Sequence, residues 1–411
     1  MNRVVVTGLG VISPLGNTPA SLFTRLMAAE SGIQPIVFEG PRGRYSNIAA
    51  TVTFDATHHF SPQKIANLDR VSQFALVAAE AAVTDATIKF TDQEKLRTGV
   101  CLGTGMGPAH TVEEAYIQLL DHDPDRLKPL TVLTAMNNAP AAHVAIQHGL
   151  CGPNLTFSCA CSSSAVAIGE AYRHIQHGYA DIMLAGGAEA LLTFGVLKAW
   201  DALRVLAIAD KAKPSASCRP FSMNRSGLVL GEGAAMMILE ERERAIRRNA
   251  RIYCEVVGYG SSNDPLHIAK PSVGGQALAM TLALADADMS TGDIGYVNAH
   301  GTGTPLNDVT ETLAIKRVFG DAAYKLPVSS TKSMHGHLLG AAGAMEFAIA
   351  ILTMQHKGIP PTAHLDVPDP ECDLDYVPNQ GRYEQDLRCV MSNSFAFGGT
   401  NAVLIARSAM P

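Results

Sequence analysis

Ten short apolar runs punctuate the chain: "RVVVTG", "GVCLGTG", "NLTFS", "DIMLAGGAE" and "AAMMILEE" first, then "CEVVGYG", "IGYVNAHG", "LPVSSTKS", "RCVMSNS" and "NAVLIA". Their length and content predict strands. Between them "RVSQFALVAAEAAVTDA", "GGQALAMTLALADA" and "AAGAMEFAIAILTMQHK" repeat apolar residues at helical spacing, and the alternation predicts α/β layers. The strand runs are apolar nearly throughout, the pattern of sheets covered on both faces. Such a series admits two similar halves meeting near residue 250, although no Ser/Gly linker marks a boundary.

Composition narrows the class. With 411 residues, 47% of them hydrophobic and only 17% charged, the chain can bury a sizeable core. A net charge of −6 argues against general nucleic-acid binding. The start, "MNRVVVTGLGVIS", reads as strand and turn rather than signal peptide, and no uncharged apolar run is long enough to span a membrane. Eight scattered cysteines in such a chain do not suggest a disulfide framework, and a cytoplasmic location is expected.

Three stretches carry candidate chemistry. In "NLTFSCACSSSAVAIGEA" an extended segment hands over to a helix, and Cys161 falls at the helix start, where free amides favour a thiolate and can hold an oxyanion. The following serines are good helix-start residues. A dipole contribution of about 0.3–1 kcal/mol is less than one pKa unit of about 1.4 kcal/mol, so a strong nucleophile also needs basic neighbours. Cys159, on the strand side, reads as packing. In "VNAHGTGTPLNDVTE" His300 ends a strand and glycines follow, a place where α/β sheets put ligands. "GTGT" lacks the lysine and spacing of a phosphate loop. In "VSSTKSMHGHLLGAAGAMEFAIAI" Lys332, His335 and His337 share a Ser/Gly-rich turn, and Glu346 sits in an otherwise apolar helix, where a carboxylate needs a partner such as Lys332. A metal site on His335 and His337 lacks a complementary ligand set.

A cysteine at a helix start followed by two glycine-flanked histidines resembles the β-ketoacyl-(acyl carrier protein) synthases, the condensing enzymes of fatty-acid and polyketide synthesis. The resemblance runs from "RVVVTGLGVISPLGNT" to "SNSFAFGGTN" and is closest to the elongating class II type. It implies a thiolase-like duplicated fold, a layered α-β-α-β-α sandwich, with residues 1–250 carrying the nucleophile and 251–411 the histidines. Residue by residue it implies Cys161 in "ACSS" as nucleophile, His300 and His337 as the catalytic histidines, and His335 as a spare. Lys332 in "STKS" matches the lysine that supports the second histidine, and Glu346 its helix carboxylate. Phe397 in "SFAFGGTN" matches a gating phenylalanine, with Phe395, Thr302, Thr304, Met106 and Trp200 at substrate-binding positions. The implied reaction moves an acyl group from a carrier to Cys161 and condenses it with a decarboxylating malonyl thioester, with substrates on phosphopantetheine and no metal or redox cofactor.

Some positions depart from the family pattern. Asn307 replaces a usual glycine, and Ser222 and Ser226 replace usual aspartates. The positions of the basic carrier-docking patch hold Ala66 and Asn67, with Lys64, Arg70 and Arg204 as the remaining cations. Leu130 and Thr131 stand where bulky aromatics are common, which opens a route for longer or conjugated acyl chains towards a dimer interface. The expected partners are an acyl carrier protein and a second subunit, in a homodimer or in a heterodimer with a chain-length-factor homologue. A cysteine hydrolase leaves the second histidine, Lys332 and Glu346 unexplained. A thiolase needs a second cysteine that "SNSFAFGGTN" lacks.

Overall fold

The computed structural model describes residues 1–40 and 43–409. In chain order its strands are β1 (Val4–Ile12), β2 (Ile33–Gly40), β3 (Gly43–Ala50), β4 (Thr98–Gly103), β5 (Asn154–Phe157) and β6 (Ile182–Glu189). They continue as β7 (Gly233–Glu241), β8 (Cys254–Asn263), β9 (Tyr296–Asn298), β10 (Val328–Ser329), β11 (Cys389–Phe395) and β12 (Thr400–Ser408). All ten apolar runs enter one sheet, in the order β10-β9-β11-β12-β8-β1-β7-β6-β4-β5. The hairpin β2–β3 stands apart from it. It escapes sequence reading because Gln34, Pro35, Arg44 and Asn47 interrupt the apolar residues of its strands.

The sheet repeats itself about its middle. From the centre outward, β1-β7-β6-β4-β5 and β8-β12-β11-β9-β10 place corresponding strands in corresponding positions. The pairing senses match too: β4 is parallel to β5 and β6, as β9 is to β10 and β11, while β7 and β12 run antiparallel to both their neighbours. An antiparallel join of Val4–Val6 to Cys254–Val256 links the two sets.

Two helices, Ser163–Gln176 and Ala342–His356, lie between the sets and touch strands of both. Every residue from Ala342 to Met354 is buried, as expected of a helix with no polar face. The helices Arg70–Asp85 and Ala139–His148 cover the outer side of the first set, and Val273–Asp286 and Pro305–Phe319 that of the second. The result is five layers, α-β-α-β-α, the thiolase-like architecture.

Tight packing in the middle layer binds the two sets together. Gly169, on the helix Ser163–Gln176, faces Tyr259 of β8 so closely that a Cβ there would lie 2.4 Å from the ring. Gly169→Ala gains about 1 kcal/mol of helix propensity but overpacks the seam at a cost of about 1–3 kcal/mol. The expected outcome is a net loss of stability, read as a lower urea midpoint at unchanged slope.

Candidate functional site

The turn that carries Cys161 is strained and tied down. Ala160 has φ 50, in the left-handed region an alanine rarely occupies, and this turns the chain from β5 into a short 3₁₀ turn and then the helix Ser163–Gln176. The serines do not cap the helix with their side chains as their residue type suggests. Ser162 Oγ donates to Cys159 O (3.0 Å), and Ser163 Oγ donates to Ala160 O (2.6 Å) while accepting from Cys159 N (2.9 Å). The hydroxyls thereby stabilise the bend rather than the helix end. Cys161 is buried, and burial pushes its thiol up to about 12, partly offset by the Lys332 charge and by a hydrogen bond from the Phe397 N–H.

His300 follows β9, and His337 follows the short helix Lys332–His335 after β10. The Cys161 sulfur and a ring nitrogen from each histidine lie within 4.8 Å of one another. The two rings stand edge to face, centroids 5.3 Å apart. Hydrogen bonds assign the tautomers. His337 Nδ1 accepts from the Leu339 N–H (3.2 Å), so its proton sits on Nε2, a buried atom with no partner among the described residues. His300 Nδ1 lies 3.4 Å from the Lys332 ammonium, which can only donate, so its proton is on Nε2 as well. Burial first, and then the Lys332 charge, hold both imidazoles well below the ordinary histidine range. They are neutral donors.

Lys332 is fully buried and ion-paired with Glu346 of the middle-layer helix. Its Nζ also donates to His300 O (2.6 Å). The lysine thus contacts the first histidine, not the second as the resemblance implied, because the turn after β10 runs beside the end of β9. Burial raises the Glu346 carboxyl, and the lysine draws it back. His335 donates from Nδ1 to Gly336 O (2.8 Å) and accepts from the Thr331 hydroxyl (2.9 Å), which occupies both nitrogens and makes it structural. Three donors such as Cys161, His300 and His337 also suit a soft divalent ion, but the adjacent buried ammonium disfavours a second cation there.

A cavity of ≈ 290 Å³ reaches these three residues, lined also by Phe395, Phe397, Thr302 and Thr304. Met106 and Trp200 do not line it. Met106 is 42% exposed, and Trp200 stacks on the Phe397 ring with centroids 6.1 Å apart. Of the three expected docking cations, exposed Arg204 lines the cavity, and exposed Lys64 lies away from it, bonded to Gln147. Arg70 is committed elsewhere: its guanidinium grips the buried Glu232 carboxylate at 2.7 and 2.9 Å, a charge that could not be buried unpaired. Leu130 and Thr131 line a separate cavity, while Asn307 and Ser226 do reach the main one.

Sequence reasoning missed several groups. Asp264 and Lys270 line the cavity from a loop without periodicity, and Asn401 from the start of β12. Glu311 holds the backbone N–H groups of His300 and Gly301 at 2.8 and 2.7 Å, and Glu189 is buried beneath the Cys161 side. The signal was the one that marked Glu346, a lone acid in an apolar run, here in "IMLAGGAEA".

Residues 1–245 match the family model for the β-ketoacyl synthase N-terminal domain, and residues 253–366 match the C-terminal domain. The chain is 44% identical over 402 residues to nodulation protein E of Rhizobium meliloti (strain 1021), covering 98% of both chains. It is 42% identical to 3-oxoacyl-[acyl-carrier-protein] synthase 2 of Coxiella burnetii, again over 98% of each. Among solved structures, the ishigamide ketosynthase/chain length factor superposes with a TM-score of 0.91 at 35% identity, covering 100% of both chains.

Two measurements probe this geometry. Lys332→Met strands the buried Glu346 carboxylate and is expected to cost about 3–5 kcal/mol, whereas Lys332→Met/Glu346→Leu recovers most of that loss in urea titrations. Because the folded state holds His300 and His337 below the ordinary histidine range, lowering the pH from 7.5 to 6 is expected to leave them neutral with the proton on Nε2. ¹⁵N-histidine spectra, assigned with His300→Ala and His337→Ala, read this directly.

Proposed function

The chain belongs to the β-ketoacyl synthase family, and from that premise we infer how its own residues divide the work of a condensing enzyme. It is an acyltransferase that extends an acyl chain by decarboxylative condensation with a malonyl thioester on an acyl carrier protein. The observation that supports the residue roles is the convergence of one thiol and two neutral imidazoles on a single cavity, the sulfur and a ring nitrogen of each histidine lying within 4.8 Å of one another.

In the first half-reaction Cys161 Sγ attacks the acyl thioester. The new S–C bond forms as the carrier thiolate leaves, and the cysteine proton ends on the departing carrier thiol. The Phe397 N–H, already aimed at the sulfur, joins the Cys161 N–H in holding the oxyanion. In the second, the malonyl carbonyl oxygen accepts from His300 and His337. The C–C bond to the carboxylate breaks, CO₂ leaves, and its electron pair becomes an enolate that the two donors stabilise. The enolate carbon then bonds to the acyl carbon, and Cys161 departs as thiolate and is reprotonated. No redox change occurs, and the substrates bring their own phosphopantetheine, so no separate cofactor is proposed. Lys332 and Glu346 fix His300, while Phe395, Phe397, Thr302 and Thr304 line the arm's path.

The division of labour follows residues 1–250, which supply Cys161, and residues 251–411, which supply the histidines. Carrier docking is assigned to Arg204 at the cavity, with Lys64 further out and Arg70 withdrawn. A second subunit is supported by strand β5, which ends the sheet with one neighbour and exposes Leu155, and by exposed Val132 and Leu133. The partner is a second copy of this chain or, as the ketosynthase/chain length factor relative suggests, a homologous chain-length factor. No described helix is long and apolar enough to cross a membrane, and all eight cysteines are free thiols, which supports a cytoplasmic setting.

Intact-mass and peptide mapping after incubation with an octanoyl-loaded acyl carrier protein tests the nucleophile. The adduct is expected on Cys161, unchanged in Cys159→Ala and lost in Cys161→Ala. His337→Ala is expected to keep partial loading and lose condensation, and condensation equal to wild type overturns the role given to that residue.

A further inference from the structure

Glu189, the last residue of β6, is a fully buried carboxylate that the reaction above does not use. Among the described residues it has no lysine or arginine partner within salt-bridge distance, and backbone amides from two distant segments satisfy it. Oε2 accepts from Gly105 N (2.6 Å) and Gly340 N (2.9 Å), and Oε1 accepts from Met106 N (3.0 Å) and Thr104 Oγ1 (3.4 Å). Residues 104–106 follow β4 on the nucleophile side, whereas Gly340 lies in the turn Leu339–Ala341, three residues beyond His337. The segments abut so closely that a Cβ on Gly340 would meet Gly105 N at 2.1 Å.

That turn decides where the His337 ring points. The backbone of His337 is already anchored, its N–H donating to Val229 O (2.7 Å) and its carbonyl accepting from Gly231 N (2.9 Å). The ring is oriented by the Leu339 N–H on Nδ1, and Leu339 has φ 41, a left-handed conformation that persists only when its surroundings impose it. The next amide after Leu339 is the one Glu189 holds.

We propose that Glu189 is a positioning residue for condensation: its carboxylate clamps the Leu339–Ala341 turn to the β4 side and so keeps the His337 Nε2–H directed at the reacting carbonyl beside Cys161. The proposal rests on the role given to His337 above. Both carboxylate oxygens face N–H groups, so an amide of the same shape must turn its NH₂ against one set of them.

The experiment measures the two half-reactions separately in wild type, Glu189→Gln and Glu189→Asp, using a fatty-acid acyl carrier protein charged with octanoyl or malonyl groups. Glu189→Gln is expected to lower the condensation kcat by about 10²-fold, the scale of an ångström-sized misplacement. Loading of Cys161 and the KM for malonyl carrier are expected to stay within about threefold of wild type, the mark of an interaction used only in the second transition state. Glu189→Asp keeps two accepting oxygens on a shorter arm and is expected to show a smaller loss of the same kind. Equal loss of loading and condensation, loss of neither, or failure of both variants to fold makes Glu189 a structural residue and overturns the proposal. Wild type failing to condense at all counts against the functional reading instead, so the two failures are distinct.

Discussion

The site depends on a single buried charge and the way it is neutralised. An ammonium placed where Lys332 lies, with no exposed surface, is tolerable only if an opposite charge and further acceptors surround it. Glu346 supplies the charge, and the carbonyl and Nδ1 of His300 supply the acceptors. Each requirement fixes a position. Glu346 pins the lysine to the middle-layer helix, and the lysine pins His300 at the end of β9. The carboxylate that sequence reading finds anomalous in an apolar helix is what makes the neighbouring histidine immobile.

The same logic of compensation operates across the seam between the two strand sets. Cys161 arrives from one set on a strained turn whose own serines hold it bent, and His300 and His337 arrive from the other on turns held by buried carboxylates. Glu311 takes the two amides at His300 and Gly301, much as Glu189 takes the amide near His337. Polar groups so deep in the fold are satisfied mainly by backbone, and backbone cannot adjust without moving the strands. Precision of placement is thus a consequence of satisfying buried donors and acceptors.

What could be read from the sequence divides along the range of the interactions involved. Most of the ten strands were legible because full burial needs apolar residues at nearly every position, and Ala342–His356 because a helix with no polar side can only be central. Cys161, His300, His337, Lys332 and Glu346 were legible as motifs, and the structure brings all five together. Contacts between distant segments were not. Arg70 looked like a free docking cation because Glu232, its partner, is 162 residues away. Lys332 was assigned to the wrong histidine because the nearness of β9 and β10 is a fact of strand order, not of spacing. Met106 and Trp200, which the resemblance put at the substrate, do not line the cavity.

Neutral imidazoles suit the chemistry better than charged ones. A malonyl thioester reaches the site carrying a carboxylate, and a cationic histidine would hold that carboxylate as firmly as the enolate it becomes, which tightens binding without speeding the loss of CO₂. A neutral Nε2–H has little to offer the ground-state carbonyl but gains as negative charge grows on the oxygen. Burial is the larger cause of their neutrality, and Lys332 reinforces it: the ammonium opposes their protonation while occupying the far nitrogen of His300. The Lys332 charge therefore stands a ring's width behind the donor, where it polarises the N–H without pairing to the substrate. A cation in direct contact with the reacting carbonyl could not separate these two effects, because the charge that stabilised the enolate would also be the charge that bound the acid.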